Sequence, residues 1–294
     1  MKKFILKSIT FAIIAIIIVS FILIKYGAYA DYFYNKFTTP KAKSMILGDS
    51  RSFQGIQPKI INAFFDDNQY DLPMFNYSFT IAQISYNELY LQSIKRKIDK
   101  TTKNGLFILS VHPWVLSNKN TTDINVPPHN MNNVTSNPNY EYFIKNLNYF
   151  HFKSIFRQNS KLHKDGWLEE RNIPSNKKIL LDWKKKQIKM YQDFSKKWRP
   201  SKLYLKNLDS TVKFLKNYGK VVLVRMPVNN AINTIENNYW HNFDNDMSII
   251  TLNNNIKYIS FVKDSLKYKT YDGNHIDKNG GVFFTKDLCE KIIK

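Results

Sequence analysis

The sequence predicts an α/β domain built on a parallel sheet, preceded by one membrane-spanning helix. Three observations carry this expectation. Short apolar runs end at Gly or Pro, helix-like segments fall between them, and an uncharged apolar run lies near the amino terminus. Strands that read as continuous apolar runs are those buried on both faces. Alternating them with helices is the pattern of βα units, whose parallel sheet is covered on both sides in three αβα layers.

The elements follow in order. Lys2, Lys3 and Lys7 precede an apolar run from Ser8 to Ile24 that contains no charge. With its flanks, this run is just long enough to cross a hydrocarbon core of about 30 Å. It shows no polar face, unlike a helix at a domain surface. The leading lysines place the amino terminus inside and the remainder outside. A second reading stays open, because Ala28-Tyr29-Ala30 resembles the small-x-small site of a cleaved signal peptide. The anchor is preferred because the run exceeds the usual signal core of about 7–15 residues. Residues 1–30 are thus expected to form the anchor and residues 31–43 a polar-aromatic linker.

The domain is expected over residues 44–294. Ser44–Leu47 reads as a buried strand entering a turn at Gly48-Asp49. Pro58–Phe65 reads as a short helix, Met74–Phe79 as a second strand, and Ile84–Ile98 as an amphipathic helix. Gly105–Val111 is a third strand, stopped by Pro113. Asn118–Asn139, rich in Asn, Thr and Pro, reads as a loop. Tyr140–Pro200 holds helical pieces, among them Ile179–Trp198, so an insertion is expected over about residues 118–200. Leu203–Tyr218 is helical and stops at Gly219. Lys220–Met226 is a buried strand ended by Pro227, Tyr258–Val262 a last strand, and Gly280–Ile293 a terminal helix.

Composition narrows the function classes. At 294 residues, with 43% hydrophobic and 15% aromatic residues, the chain supports a packed core and is not a disordered polymer. The single cysteine, Cys289, excludes an intrachain disulfide and with it the disulfide-stapled secreted class. The net charge of +21, from 44 Lys plus Arg against 23 Asp plus Glu, favours anionic partners. An anionic membrane face or a phosphate-rich envelope polymer meets that condition; the alternative reading is a lysine-rich solvated surface from a compositionally biased genome, in keeping with the abundance of Asn and Lys. Outside the cytoplasm, intracellular nucleic acid is set aside. The six histidines are dispersed and no Gly-rich phosphate loop occurs, so neither a metal nor a cofactor is expected.

In an open parallel sheet, functional groups gather just beyond the carboxyl ends of the strands. After the first strand comes Gly48-Asp49-Ser50-Arg51-Ser52, where a serine lies over helix-start amides able to stabilise an oxyanion. After the last strand comes Tyr271-Asp272-Gly273-Asn274-His275. An aspartate three residues before a histidine can turn back to its Nδ1–H and hold one tautomer, which a general base for serine requires. Each segment alone is also readable as a plain turn. Together they are more specific, since they come from opposite ends of the domain and each follows a strand.

Ile46-Leu47-Gly48-Asp49-Ser50 and Asp272-Gly273-Asn274-His275 resemble the first and last blocks of the SGNH (GDSL-like) hydrolase superfamily, from about Lys43 to the end. The resemblance implies a flavodoxin-like αβα fold, with Ser50 as nucleophile, His275 as base and Asp272 as its orienting partner. Gly48 to Pro58 (Gly-Asp-Ser-Arg-Ser-x-x-Gly-Ile-x-Pro) is similar to a subgroup with one membrane anchor. That subgroup includes proteins of the D-alanyl-lipoteichoic acid pathway type, and related proteins often work beside a membrane-bound O-acyltransferase. The middle blocks depart from the pattern. Asn76-Tyr77-Ser78-Phe79-Thr80-Ile81 matches the frame Asn-x-x-x-Ser-Gly, with Ile81 where the oxyanion glycine is expected. Ser110-Val111-His112-Pro113-Trp114 replaces the usual Gly-x-Asn-Asp. His112 either takes the donor role of the missing asparagine or is a structural histidine beside a proline turn.

Two further arginines stand near strand ends. Arg51 and Arg225 either bind an anionic substrate group through bidentate contacts or, for Arg225, sit buried beside a carboxylate. The aromatic residues of Tyr140–Trp198 either line a sugar cleft or pack a core. Two functions follow as expectations. One is a serine esterase or O-acyltransferase, held on the outer side of a bacterial cytoplasmic membrane and acting on acyl esters of an envelope glycan or anionic polymer. The other is a degenerate SGNH domain that binds and scaffolds a membrane-bound O-acyltransferase.

Overall fold

The structure, a computed structural model, describes residues 1–294 except 31–32, 34–35, 37–38, 67, 82–83, 120–152, 154 and 157. Helix α1 (Lys2–Ala30) opens the chain. Its stretch Lys2–Ile22 has a mean hydropathy of 2.6 and none of its window is buried against the protein, so it is long and apolar enough to cross a bilayer. Phe4, Leu6, Phe11 and Ile16 are each more than 60% exposed along it. A surface of that kind is stable in hydrocarbon and not in water.

The central sheet has five parallel strands: β1 (Ser44–Leu47), β2 (Met74–Asn76), β3 (Gly105–Ser110), β8 (Gly219–Arg225) and β9 (Lys257–Ser260). Their order is β2-β1-β3-β8-β9, so the winding reverses between β1 and β3. Side chains alternate across the sheet because the strand period is two. Met45, Leu47, Phe107, Leu109, Val221 and Leu223 face one side, and Ile46, Leu106, Ile108, Val222 and Val224 the other. On the first side lie α4 (Glu88–Lys97), α6 (Lys202–Lys216) and α8 (Phe243–Asn254), which bury Tyr90, Ile94, Leu208, Val212, Phe243 and Met247. On the second lie α3 (Pro58–Phe64) and α9 (Lys278–Ile293), which bury Ile61, Phe284, Leu288 and Ile292. Each such aliphatic or aromatic side chain contributes about 1.5–3 kcal/mol on burial.

Local chemistry sets the helix starts. Asn87 caps α4 by accepting from the Tyr90 amide, and Asp277 caps α9 by accepting from the Gly280 amide. These caps explain why α4 begins at Glu88 instead of Ile84. The second strand likewise stops short of Phe79. Its chain nevertheless runs on beside β1, with the Tyr77 and Phe79 amides donating to the carbonyls of Ile46 and Gly48. Two helices go beyond the sequence expectation: α7 (Asn230–Tyr239), capped by Asn229, and α8. Asn230–Tyr239 carries its apolar stripe (Ala231, Ile232, Ile235 and Tyr239) among asparagines, whereas Phe243–Asn254 shows almost none, and burial of Ile232, Phe243 and Met247 supplies what propensity lacks.

Between β3 and α6 the chain makes an excursion whose two ends pair with each other. Strand β4 (Ser117–Lys119) lies antiparallel to β7 (Trp198–Pro200). Within it, β5 (Ser160–Leu162) and β6 (Leu168–Glu170) form an antiparallel hairpin, and α5 (Lys177–Lys197) packs on α7. Most of the loop expected at 118–139, and the aromatic residues from 140 to 152, lie outside the described residues. The described aromatics of α5 and its neighbours serve a core: Trp114, Tyr191 and Trp198 are buried together with Val228 and Ile232.

The segment 31–43, expected to be a linker, is a docked part of the domain wherever it is described. Phe33 packs 5.4 Å from the Phe79 ring and 6.4 Å from the Phe53 ring. Lys36 is buried, with Nζ donating to the carbonyls of Asn76 (2.5 Å) and Gly166 (2.9 Å). Thr39 accepts from Lys97 Nζ through both its carbonyl and its hydroxyl, at 2.8 Å each. Ala42 exchanges backbone hydrogen bonds with Lys97 and Asp99.

Candidate active site

The turn after β1 places Ser50. Gly48 has φ +141°, and a Cβ there would lie 2.5 Å from Ser52 Oγ and 2.7 Å from Ser110 Cβ, so both the conformation and the space call for glycine. Its amide donates to the Tyr90 hydroxyl at 3.1 Å. Asp49 then caps α2 (Ser50–Gly55) by accepting from the Arg51 amide. Ser50 is therefore the first residue of a helix, half-buried at the carboxyl edge of the sheet.

The other half of the site comes from the loop before α9. Gly273, at φ +91°, lets this loop turn back on itself. Asp272 Oδ1 accepts from the amides of Asn274 (2.9 Å) and His275 (2.8 Å). Its Oδ2 is 2.7 Å from His275 Nδ1 and also accepts from Gln187 Nε2 at 3.3 Å. His275 Nε2 in turn lies 2.9 Å from Ser50 Oγ. The groups read from the two ends of the sequence are thus joined in one line. Burial pushes the Asp272 carboxyl up, but the adjacent imidazole and the two amides outweigh it and hold the group below the ordinary carboxylate range. An ionised Asp272 accepts the Nδ1 proton, which leaves the Nε2 lone pair turned toward the serine.

Asn274 is a partner that the sequence reading did not single out. Its Oδ1 accepts from Arg51 Nε and from the Tyr191 hydroxyl, both at 2.8 Å. That fixes the amide so that Nδ2 faces His275 Nε2 at 3.0 Å. Arg51 is 1% exposed and its Nη2 meets Glu236 Oε1 at 2.5 Å. Arg51 therefore points into the protein and couples the serine helix to the histidine loop. The expectation that it receives an anionic substrate group does not fit a head group turned inward.

Behind Arg51 lies a buried ionic network. Glu236 of α7 is fully buried and accepts from Arg51, from Arg225 Nη2 (3.3 Å) and from Trp114 Nε1 (3.0 Å). Arg225 also reaches Asp244 and Asn237, so the alternative of burial beside a carboxylate describes it. Burial pushes the Glu236 carboxyl up, but the two guanidinium groups outweigh it and lower it. Glu236 lies in an Asn-rich stretch, and its only sequence signal is the need of Arg225, inside an apolar strand, for a carboxylate.

His112 pairs with Asp49, its Nε2 2.9 Å from Oδ2, and both are buried. Burial and the nearby Arg51 cation push the imidazole below its ordinary value. Burial pushes Asp49 up, yet His112 and Arg51 prevail and hold it at about 2. The pair is thus a carboxylate accepting from a neutral histidine, which leaves His112 Nδ1 buried without a partner. Of the two roles open to His112, the structural one matches these contacts.

The remaining sequence-selected residues also have structural bonds. Asn76 Nδ2 donates to the carbonyls of Ser52 (2.8 Å) and Ile56 (3.1 Å), and its Oδ1 accepts from the Ser78 amide. Ser78 Oγ meets Ser52 Oγ at 2.9 Å. Ile81 stands in a turn, half-buried against the apolar clusters beside it. Among the described residues, no group of three or more His, Cys, Asp or Glu is gathered as a metal site would be.

No model of a known protein family matches the chain, and no curated protein is similar to it in sequence.

Proposed function

We propose that the chain is a serine acyl-ester enzyme of the SGNH kind, anchored in a membrane by α1 and acting on acyl esters of a cell-envelope glycan or anionic polymer. The observation that carries the reading is the unbroken relay Asp272–His275–Ser50, with steps of 2.7 and 2.9 Å across 225 residues of sequence. The sheet order supports it too. Counted among the sheet strands alone, the order is 2-1-3-4-5, which is that of the flavodoxin-like arrangement, and Ser50 lies where the winding reverses.

Ser50 Oγ attacks the ester carbonyl carbon as its proton passes to His275 Nε2, and Asp272 stabilises the imidazolium. The Ser50 amide, at the start of α2, donates to the oxyanion. The C–O bond to the alcohol then breaks, His275 gives its proton to the departing oxygen, and the acyl group stays on Ser50. An incoming hydroxyl loses its proton to His275 and attacks the acyl carbon, and as the bond from Oγ to that carbon breaks His275 returns the proton to Ser50. Water gives hydrolysis and a polymer hydroxyl gives transfer.

A second reading is a scaffold for a membrane-bound O-acyltransferase. It is favoured by Ile81 in the place of a glycine and by the engagement of Asn76, Ser78 and His112 in structural bonds. Fluorophosphonate labelling of the full chain separates the two. Labelling of the wild type that disappears in Ser50→Ala, with the same urea unfolding midpoint, is expected. A folded wild type that never labels would turn the assignment to the scaffold.

A further inference from the structure

The docked segment after α1 has a direction. Lys36 is bonded to the carbonyl of Asn76, the last residue of β2, and to Gly166 of the β5–β6 hairpin. Both lie at the carboxyl edge of the sheet, where Asp165 O also accepts from the Asn76 amide and Trp167 Nε1 donates to the Gln54 carbonyl of α2. Thr39 is bonded to Lys97 at the end of α4, which runs opposite to the strands, and Ala42 pairs with residues 97–99. The chain therefore descends from the carboxyl edge at Phe33 to the amino edge at Ala42 before entering β1. Nine residues at about 3.3 Å each are enough for that descent. Helix α1 consequently ends at the carboxyl edge, where it packs against β5. That is the edge bearing Ser50 and His275.

Surface chemistry on the same edge agrees. Helix α5 crosses it above the histidine loop, through Gln187 to Asp272 and Tyr191 to Asn274. It has eight lysines against two aspartates, and Lys177, Lys178, Lys185, Lys186 and Lys189 are exposed. Near its start, Ile179 and Leu181 are 42% and 55% exposed. Exposed lysines beside exposed apolar side chains suit an anionic lipid headgroup layer.

We propose that the carboxyl edge of the sheet is the membrane-facing side of the protein, seated on an anionic phospholipid surface, so that Ser50 opens toward acyl esters held in or on the bilayer. This rests on the anchor and enzyme reading above and narrows its substrate to one presented at the membrane. A flexible tether would leave the site free to turn toward soluble substrates. The contacts of Phe33 and Lys36 instead keep the end of the anchor within three residues of this edge.

The test uses the full chain in protein-free vesicles containing phosphatidylglycerol, with one fluorophore at Lys185→Cys or at Lys103→Cys and an energy acceptor on the lipid headgroups. Lys103 is exposed at the amino edge, and α6, which spans the height of the sheet, is about 22 Å long. Cys289 is buried with its thiol pushed up to about 12, so it competes poorly for the label. Energy transfer several-fold stronger from position 185 than from position 103 is expected. Equal or reversed transfer would overturn the proposal. So would a difference that appears only when a membrane protein is added, which would replace the lipid surface by a protein one. Flotation of the vesicles without the chain would overturn it at the anchor. A retained edge difference in a chain that fails to label with fluorophosphonate would uphold the seating and count only against the enzyme reading.

Discussion

Asp272 accepts four hydrogen bonds, two from backbone amides, one from His275 and one from Gln187. The amide bonds hold the carboxylate in place whatever its charge, whereas the bond to Nδ1 selects the tautomer. Asp272→Asn should therefore leave the fold intact and present an amide to Nδ1, turning the imidazole to the wrong tautomer. On the enzyme reading proposed above, turnover of an acyl ester falls by about four orders of magnitude in this variant, with an unchanged unfolding midpoint. A loss of less than tenfold would remove Asp272 from the relay. The relay was legible in the sequence because Asp-x-x-His is a local pattern. Asn274 was not legible as a partner, because its role depends on Arg51 and Tyr191 arriving from 223 and 83 residues away.

At the level of elements, the strands were the most legible parts. In β1, β3 and β8, four to seven mostly apolar residues between a glycine or polar start and a glycine or proline stop leave little choice. Helices α7 and α8 were not, because their polar sequences become helical through burial of a few side chains. Helix α7 also supplies Glu236, which ties α2 and β8 together through Arg51 and Arg225. Glu236→Gln would take from the buried Arg51 cation the carboxylate it is bonded to, leaving it only the charge of nearby Asp49, while Arg225 keeps Asp244. Breaking one partner of a buried ion pair costs about 3–5 kcal/mol. A loss of that size in the urea unfolding free energy is expected, whereas a neutral outcome would mean that solvent reaches Arg51. The segment 31–43 belongs to the same scale. Its composition resembles a linker, and only the aromatic cleft formed by Phe53, Phe75 and Phe79 shows where its buried lysine goes.

Across the whole molecule, two buried lysines act against stability at neutral pH. Burial lowers Lys36 well below its ordinary value and brings Lys97 to about 7. The folded value of Lys97 lies below its value in the unfolded chain. Between the two, the unfolded chain binds more protons, so stability rises with pH. From pH 7 to 8.5 the rise due to Lys97 is about 2 kcal/mol. Lys97→Met should remove that part of the rise and also ease the lowering of Lys36, to which the Lys97 charge contributes, so the variant's stability climbs less with pH in urea unfolding of the detergent-solubilised chain at the two pH values. Parallel slopes in the two proteins would mean that Lys97 is solvated.

The sequence by itself determined the uncharged helix at the amino terminus and the mostly parallel α/β character of the domain, and it pointed to Ser50, Asp272 and His275, which the fold brings into one hydrogen-bonded line. These rest on composition, on strand and helix periods and on short local patterns, all of which are written within a few residues of the feature they specify. Tertiary structure alone decided that Arg51 turns inward to Glu236, that His112 pairs with Asp49, and that Phe33, Lys36, Thr39 and Ala42 are bonded or packed along the domain. Buried charges find partners across the fold because an unpaired ion in a low-dielectric interior is too costly to leave. No local pattern encodes which distant residue meets that need, so the coupling of the serine helix to the histidine loop becomes visible only when the chain is folded.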